Sequence, residues 1–258
     1  MQCIRQQLSG GSLLLYSWFE AMHTRMDLML WDSRADEASL QNLSSEICDE
    51  VCRIEKMGSC YLQDSERTGI TTAVVGSPVT ISHELYEILS VCLDFSVRTD
   101  GYFDIAASPG VSIPLREKIV LGTDYTVIRM LPDVRLNLSG FLKGYALDRA
   151  VELVRKANVR NALLNFGNSS VFALGNHPSG SGWPVADLIG NVYVLHDECL
   201  TTSGNETDER RHIINPLTGQ YIEGRGVASV VTTSAAEGEV ESTVAFIKRN
   251  LTELSSGQ

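Results

Sequence analysis

Hydrophobic residues recur along the chain with two different periods, which predict its helices and strands. Apolar residues spaced close to 3.6 positions predict a helix over residues 36–56, on Leu40, Leu43, Ile47, Val51 and Ile54. We predict three more helices, at residues 83–99, 144–157 and 240–250, and Ser82 as the N-cap of the first of these. Alternating or β-branched runs predict strands at residues 26–31, 79–82, 127–130, 134–136, 161–166, 171–174, 192–195 and 227–232.

This mixture of helices with many short strands predicts an α+β fold rather than a doubly wound parallel sheet. No G-x-G-x-x-G follows a predicted strand, so a Rossmann dinucleotide site is not expected. The 258 residues, of which 43% are hydrophobic, are enough to bury a substantial core. This length alone allows either one large domain or two small ones.

The charge balance limits the classes of partner. The formal net charge is −11, which argues against binding a nucleic-acid backbone or an anionic membrane surface. It does not argue against an anionic cofactor, because one lysine and a few backbone N–H groups can form a local anion site.

The cysteines and the N-terminus bear on localisation. Of the six cysteines, Cys48 and Cys52 are four positions apart on a predicted helix, but no second pair follows, so reduced thiols are favoured over a zinc site. The apolar run at residues 13–16 is too short for a signal peptide, and no apolar run precedes Cys3. No apolar stretch approaches the ~20 residues of a transmembrane helix. We expect a cytoplasmic protein without membrane insertion.

Three segments carry candidate chemistry. Lys143 follows a glycine-containing turn and precedes the predicted helix 144–157, an arrangement that suits phosphate, although the residues alone favour a solvated surface lysine. Asp104 ends the segment 101–104 (GYFD), where it would either bind an adenosine group or cap a turn. His212 and Asn215 flank two isoleucines, which predict a strand that mounts both side chains rigidly; a histidine in this setting is more often structural.

Seven segments then follow one another in a specific order. They are MHT at 22–24, GYFD at 101–104, NLSGFLKGYALD at 137–148, NFG at 165–167, TSG at 202–204, HIINPLTG at 212–219 and EVEST at 239–243. In this order they resemble the FAD:protein FMN transferases, the ApbE-like family, whose pattern has MGT, GxFD, DxGGxAKGYAxD, NxGG, TSG, HIIDPxTG and DALST. The resemblance covers residues 22–246 approximately. It implies an N-terminal extension at 1–20, an FAD-binding flavin transferase domain at 21–250 and a tail at 251–258. The domain is expected to be a single compact α+β unit of mixed, largely antiparallel sheet with helices and a central cofactor cleft.

The resemblance also implies the site residues. It implies catalytic roles for His212, Lys143 and Glu239. It implies FAD contacts, with adenosine recognition by the aspartate, at Met22, Thr24, Asp104, Lys143, Gly144, Asn165, Thr202, Ser203, Gly204 and His212. It implies a Mg²⁺ site made by Glu239, Thr243 and the backbone carbonyl of Leu142. Residues four apart lie on one helix face, so the oxygens of Glu239 and Thr243 can converge.

Several positions depart from the family pattern. Asparagine replaces aspartate at Asn137 and Asn215, and the remaining changes are His23 for glycine, Ser139 for glycine, Asn168-Ser169 for Gly-Asp, Leu142 for alanine and Glu239 for aspartate. The lysine, the histidine and the threonine are retained.

The resemblance therefore implies a Mg²⁺-dependent transferase. This enzyme would cleave FAD, pass FMN to a threonine or serine hydroxyl of a partner protein, and release AMP. Two alternatives stay open: an FAD pyrophosphatase with water as acceptor, and a protein that binds FAD without turnover.

Overall fold

The computed structural model describes residues 1–8, 11–59, 62–207 and 211–256; Cys60, one of the six cysteines, lies outside them. The first half of the chain forms β1 (Gln2–Gln7), β2 (Leu13–Ala21), β3 (Thr24–Asp32), α1 (Glu37–Gly58), α2 (Glu66–Thr72), β4 (Pro78–Thr80), α3 (His83–Arg98), α4 (Leu115–Lys118), β5 (Ile119–Leu121) and β6 (Thr126–Arg129). The second half forms α5 (Ser139–Lys156), β7 (Asn161–Phe166), β8 (Ser170–Leu174), β9 (Trp183–Ala186), β10 (Val192–Leu195), β11 (Glu198–Asn205), β12 (Ile214–Asn215), β13 (Gln220–Tyr221), β14 (Gly226–Thr232) and α6 (Ala235–Ser256).

The chain divides into two compact units, each made of three separate stretches. The first contains Met1–Glu55, Leu142–Ser203 and Ser229–Ser242, and the second contains Lys56–Phe141, Gly204–Ala228 and Thr243–Gln258. The predicted α+β class with largely antiparallel sheet is confirmed, because every pairing whose register is described is antiparallel.

The first unit is built around a seven-stranded sheet of order β1-β2-β3-β7-β8-β11-β14. Buried and less buried residues alternate along β2 and β3, so one face of these strands carries an apolar layer that includes Leu15, Met26, Leu28 and Leu30. A buried hydrogen bond from the Ser17 hydroxyl to the Ser44 hydroxyl, 3.0 Å long, joins β2 to α1. Residues 2–7 and 13–21 therefore form strands of the sheet, in a region for which the sequence predicted only an extension.

The second unit contains a three-stranded sheet of order β4-β6-β5, the helices α2, α3 and α4, and the β12–β13 hairpin. Ser82 caps α3 as predicted, since its hydroxyl accepts a hydrogen bond from the backbone N–H of Leu85. The strand predicted at residues 134–136 is wrong. The edges of β6 are already paired with β4 and β5, and the Leu136 carbonyl accepts instead from the Arg67 side chain.

Among the residues that the structure describes, none of the helices is both long enough and apolar enough to cross a membrane.

Candidate functional site

The helix that carries Lys143 begins earlier than its sequence predicts. The Asn137 side chain accepts hydrogen bonds from the backbone N–H and the hydroxyl of Ser139, which is the first residue of α5. An asparagine just before a helix satisfies first-turn donors in this way. Lys143 is therefore inside the helix and not ahead of it, so its ammonium is presented from the second turn.

A very close contact joins α5 to the start of α6. A Cβ atom placed on Gly144 would lie 2.4 Å from the backbone oxygen of Ala235, far inside van der Waals contact. Only glycine allows the two backbones to approach this closely. The close contact explains why glycine follows Lys143. A contact between the Gly144 backbone and a ligand is not needed to explain the glycine.

Asp148 holds the N-terminus of α6 from the side. Its carboxylate accepts from the backbone N–H groups of Ala235 (2.7 Å) and Ala236 (3.0 Å) and from the hydroxyl of Ser234 (2.8 Å). The two backbone N–H groups belong to the first turn of α6 and have no partner within the helix. Burial raises the pKa of Asp148 above its usual value, and these hydrogen bonds offset that only in part. Asp148 therefore orients the start of α6 relative to α5.

The held helices bring together two of the three residues predicted to be catalytic. Lys143 Nζ donates to Ser169 Oγ at 2.7 Å and lies 3.6 Å from Glu239 Oε1, which also accepts from Ser170 Oγ at 2.7 Å. The Lys143 side chain is 23% exposed and that of Glu239 only 6%. The lysine side chain is thus partly accessible, whereas the glutamate side chain is buried. We call Lys143, Ser169, Ser170 and Glu239 the lysine–glutamate cluster.

The segment Thr202-Ser203 lies beside this cluster within the same unit. The Thr202 backbone N–H donates to the Ser169 carbonyl at 2.7 Å, and the Ser203 and Ser242 hydroxyls are 2.8 Å apart. The backbone of Thr202 and the hydroxyl of Ser203 are therefore both held by hydrogen bonds within this unit.

The Thr202 hydroxyl belongs to a hydrogen-bonded network that the sequence did not predict. This hydroxyl is 2.9 Å from that of Ser229, which donates to Asp187 at 3.3 Å. Burial alone would raise the pKa of Asp187, but hydrogen bonds, first from Asn191, lower it. Asp187, Asn191 and Ser229 lie outside the seven motif segments, so no motif singles them out.

The turn between β2 and β3 adopts glycine-like backbone geometry without glycine. Met22 and His23 have φ values of +50° and +60°, as the two central residues of a type I′ hairpin require. Next to this turn, a Cβ on Gly167 would lie 2.6 Å from the Thr24 hydroxyl. The Asn165 side chain accepts from the Asn168 N–H and donates to its side-chain oxygen. Thr24 and the loop that follows Asn165 are thus neighbours, as expected for one site.

In the second unit, Asp104 forms a buried ion pair that the sequence did not predict. Lys118 Nζ lies 2.8 Å from Asp104 Oδ2 and 2.8 Å from the Ala106 carbonyl, and both charged side chains are only 2% exposed. The other carboxylate oxygen accepts from the Ala106 N–H. Adenosine recognition by Asp104 stays a prediction. An adenosine group bound by Asp104 would share the carboxylate with Lys118 and the Ala106 N–H.

The other predicted residues of this unit lie on strands or next to them, or on α6. His212 is exposed and precedes the strand, which begins only at Ile214, so the expectation of a strand-mounted histidine is wrong. Asn215 is buried and shapes the following turn by accepting from the Leu217 N–H. Gly204 allows β11 to approach β14, since a Cβ there would lie 2.2 Å from the Gly226 oxygen. Thr243 lies one turn after Glu239 along α6.

The predicted metal ligands, which are Glu239, Thr243 and the Leu142 carbonyl, are all oxygen donors. Within the described ranges, no group of three or more histidine, cysteine, aspartate or glutamate side chains converges. The pKa of Cys48 is raised to about 11 by burial and by the neighbouring Cys52, so this thiol is protonated at neutral pH. A thiolate zinc site at this pair is correspondingly disfavoured.

Comparison with known proteins identifies the family. The ApbE family model matches residues 22–254, and the chain belongs to this family. It is 26% identical to the FAD:protein FMN transferase of Klebsiella pneumoniae (strain 342), over 79% of this chain and 75% of that protein. It is 25% identical to the FAD:protein FMN transferase of Escherichia coli (strain K12), over 76% and 68%.

Solved structures show the same fold. The flavinyl transferase ApbE of Pseudomonas stutzeri, in its apo form, superposes with a TM-score of 0.79 at 19% identity, covering 90% of this chain and 84% of that chain. The ApbE protein of Thermotoga maritima superposes with a TM-score of 0.80 at 19% identity, covering 92% and 87%.

Proposed function

We propose that this protein is a flavin transferase that cleaves FAD, transfers FMN to a threonine or serine hydroxyl of an acceptor protein, and releases AMP in a Mg²⁺-dependent reaction. Family membership supports the reaction class, because similar members are named FAD:protein FMN transferases. The observation that carries the proposal is the lysine–glutamate cluster. It joins the lysine and the carboxylate that the family pattern associates with the pyrophosphate and the metal.

Lys143 is the residue that we assign to the pyrophosphate. Its side chain is partly exposed and its ammonium is fixed by Ser169, so we expect an anion to reach it without a change in the helix. An ammonium that is held in place offsets the negative charge that develops when a phosphoanhydride bond breaks. His212 is exposed in the second unit, and its catalytic role is proposed from the family resemblance.

The metal assignment rests on donor chemistry. Mg²⁺ prefers hard oxygen ligands and is often held by one or two carboxylates together with substrate phosphates. Glu239, the Leu142 carbonyl and the Thr243 hydroxyl are donors of this class, so the residues fit the ion. When bound, Mg²⁺ would act as a Lewis acid toward the phosphoryl oxygens. With a cation at Glu239, Lys143 is no longer the main counter-ion of that carboxylate and can donate to a phosphate.

The first experiment measures AMP released from FAD by the purified chain, with and without Mg²⁺, by chromatography. The proposal predicts AMP that depends on Mg²⁺. Glu239→Gln preserves the size of the side chain and removes its charge, and we expect at least a tenfold loss of this activity. Glu241→Gln on the exposed face of the same helix is the matched control and should keep it. Intact FAD under all conditions would refute the proposal and favour binding without turnover.

A second measurement separates transfer from hydrolysis. A candidate acceptor protein is added, and covalent flavin is detected by fluorescence after denaturing electrophoresis. Flavin bound to the acceptor, lost when its threonine or serine is replaced by alanine, is the result expected of a transferase. Equimolar free FMN and AMP with no labelled protein would identify a pyrophosphatase instead.

A further inference from the structure

Ser169 is the one serine of the lysine–glutamate cluster that is accessible. Ser170 is fully buried and is bonded to Glu239, whereas Ser169 is only half-buried and lies at the turn between β7 and β8. Its hydroxyl accepts a hydrogen bond from Lys143, the residue assigned to the pyrophosphate. The hydroxyl therefore lies next to the position at which the proposed function places the FAD phosphates.

The backbone of Ser169 is held in place independently of any ligand. Its carbonyl accepts from the Thr202 N–H at 2.7 Å, which ties the turn to β11. The preceding residues Gly167 and Asn168 have φ values of +66° and +58°, and the Asn165 side chain closes the loop. A nucleophile that is pre-positioned near its target gains a large effective concentration over one that must diffuse in.

Residue type sets this position apart from the family pattern. The pattern has an acidic residue where this chain has Ser169. A carboxylate attacking phosphorus would give a labile acyl phosphate, whereas a serine hydroxyl gives a stable phosphodiester. The substitution thus supplies, inside the chain, a hydroxyl of the kind that flavin transfer uses as acceptor.

We propose that Ser169 is a self-modification site, at which the protein attaches FMN to itself. This inference rests on the proposed function. Ser169 Oγ forms a bond to the FMN phosphorus of FAD, the bond from that phosphorus to the bridging oxygen breaks, and AMP leaves with that oxygen. The hydroxyl proton passes to solvent, and no oxidant or reductant is needed. Lys143 stabilises the negative charge that develops on Oγ and on the phosphoryl oxygens.

The test is mass spectrometry of the wild-type chain after incubation with FAD and Mg²⁺. We expect a mass increase equal to FMN less one water, at no more than one flavin per chain. Trypsin should place the label on the peptide of residues 161–210, and fragmentation should place it on Ser169. A label on any other residue, or AMP release with no labelled chain, would overturn the inference and leave the proposed function intact. The absence of AMP would instead refute the proposed function.

Variants separate an acceptor role from an effect on Lys143. Ser169→Ala should abolish the label, and Ser169→Thr, which keeps a hydroxyl, should retain part of it. Ser179→Ala, an exposed serine on the same tryptic peptide, is the control and should label fully. Ser169→Asp restores the acidic residue of the family pattern and removes the hydroxyl, so it should lose the label. A Ser169→Ala protein that still gains one covalent FMN would contradict the inference.

Discussion

Replacing Asp148 by alanine tests how the start of α6 is positioned. The carboxylate accepts three hydrogen bonds, two from backbone N–H groups of the first turn of α6 and one from Ser234. A hydrogen bond of this kind contributes about 1 kcal/mol, and a buried donor left without a partner costs at least as much. The unfavourable burial that raises the pKa of Asp148 works in the opposite direction. We therefore expect Asp148→Ala to lower the free energy of unfolding by about 2–3 kcal/mol.

The assay is chemical denaturation followed by circular dichroism, with thermal melting as a second probe. A loss of that size lowers the melting temperature by roughly 5–10 °C in a chain of this length. Glu152→Ala, which removes an exposed partner of Arg149 on the same helix, is the control and should cost less than about 1 kcal/mol. If Asp148→Ala is no more destabilising than Glu152→Ala, the Asp148 carboxylate does not hold the start of α6.

Three further predictions follow from single positions. Gly144→Ala would place a methyl group against the Ala235 backbone. We expect denaturant unfolding to show about 1–3 kcal/mol of destabilisation, together with reduced AMP release. A variant of unchanged stability would contradict the close contact. His23→Gly suits the positive φ of the turn and should be neutral or stabilising by up to about 1 kcal/mol, whereas His23→Val should destabilise; equal melting temperatures for both variants would contradict the assigned turn. Burial alone would raise the pKa of Asp32, but hydrogen bonds from Arg34 and other donors lower it. The charged Asp32 therefore stabilises the folded state above the unfolded-state pKa near 4, and this stabilisation is lost as pH falls through the lower folded-state pKa. The difference in free energy of unfolding between the wild type and Asp32→Asn should therefore become smaller below about pH 4. A difference that is constant with pH would show that the pKa of Asp32 is not lowered in the folded state.

Periodicity predicted many of the elements whose two faces differ in burial, but it missed β2, along which buried and less buried residues alternate. The pattern of Leu40, Ile47 and Ile54 placed α1 within two residues at each end, because these side chains are fully buried on one face. It missed β1, whose residues are all exposed and therefore carry no alternation. It also began α5 and α6 several residues late. Their first turns contain glycine or serine, and side chains hold them that the local pattern does not reveal, such as Asp148.

The candidate site was predictable as a list of residues and not as a set of contacts. Motif order identified Lys143 and Glu239, but nothing in the local sequence indicates that their side chains lie 3.6 Å apart. The buried pair of Asp104 with Lys118 was missed for the same reason, because a lysine ahead of a short strand is usually solvated. Long-range pairing of charges depends on the fold, and only the structure supplies it.

The most direct test of the proposed function compares three proteins in one assay of AMP release from FAD and flavin transfer to an acceptor. They are the wild type, Lys143→Ala, and Lys156→Ala as an exposed lysine control on the same helix. We predict Mg²⁺-dependent AMP release by the wild type and by Lys156→Ala, with a loss of about 100-fold or more in Lys143→Ala and no change in its melting temperature beyond a few degrees. Undiminished AMP release by a folded Lys143→Ala protein would contradict the assignment of this lysine to the pyrophosphate and, with it, the proposed site.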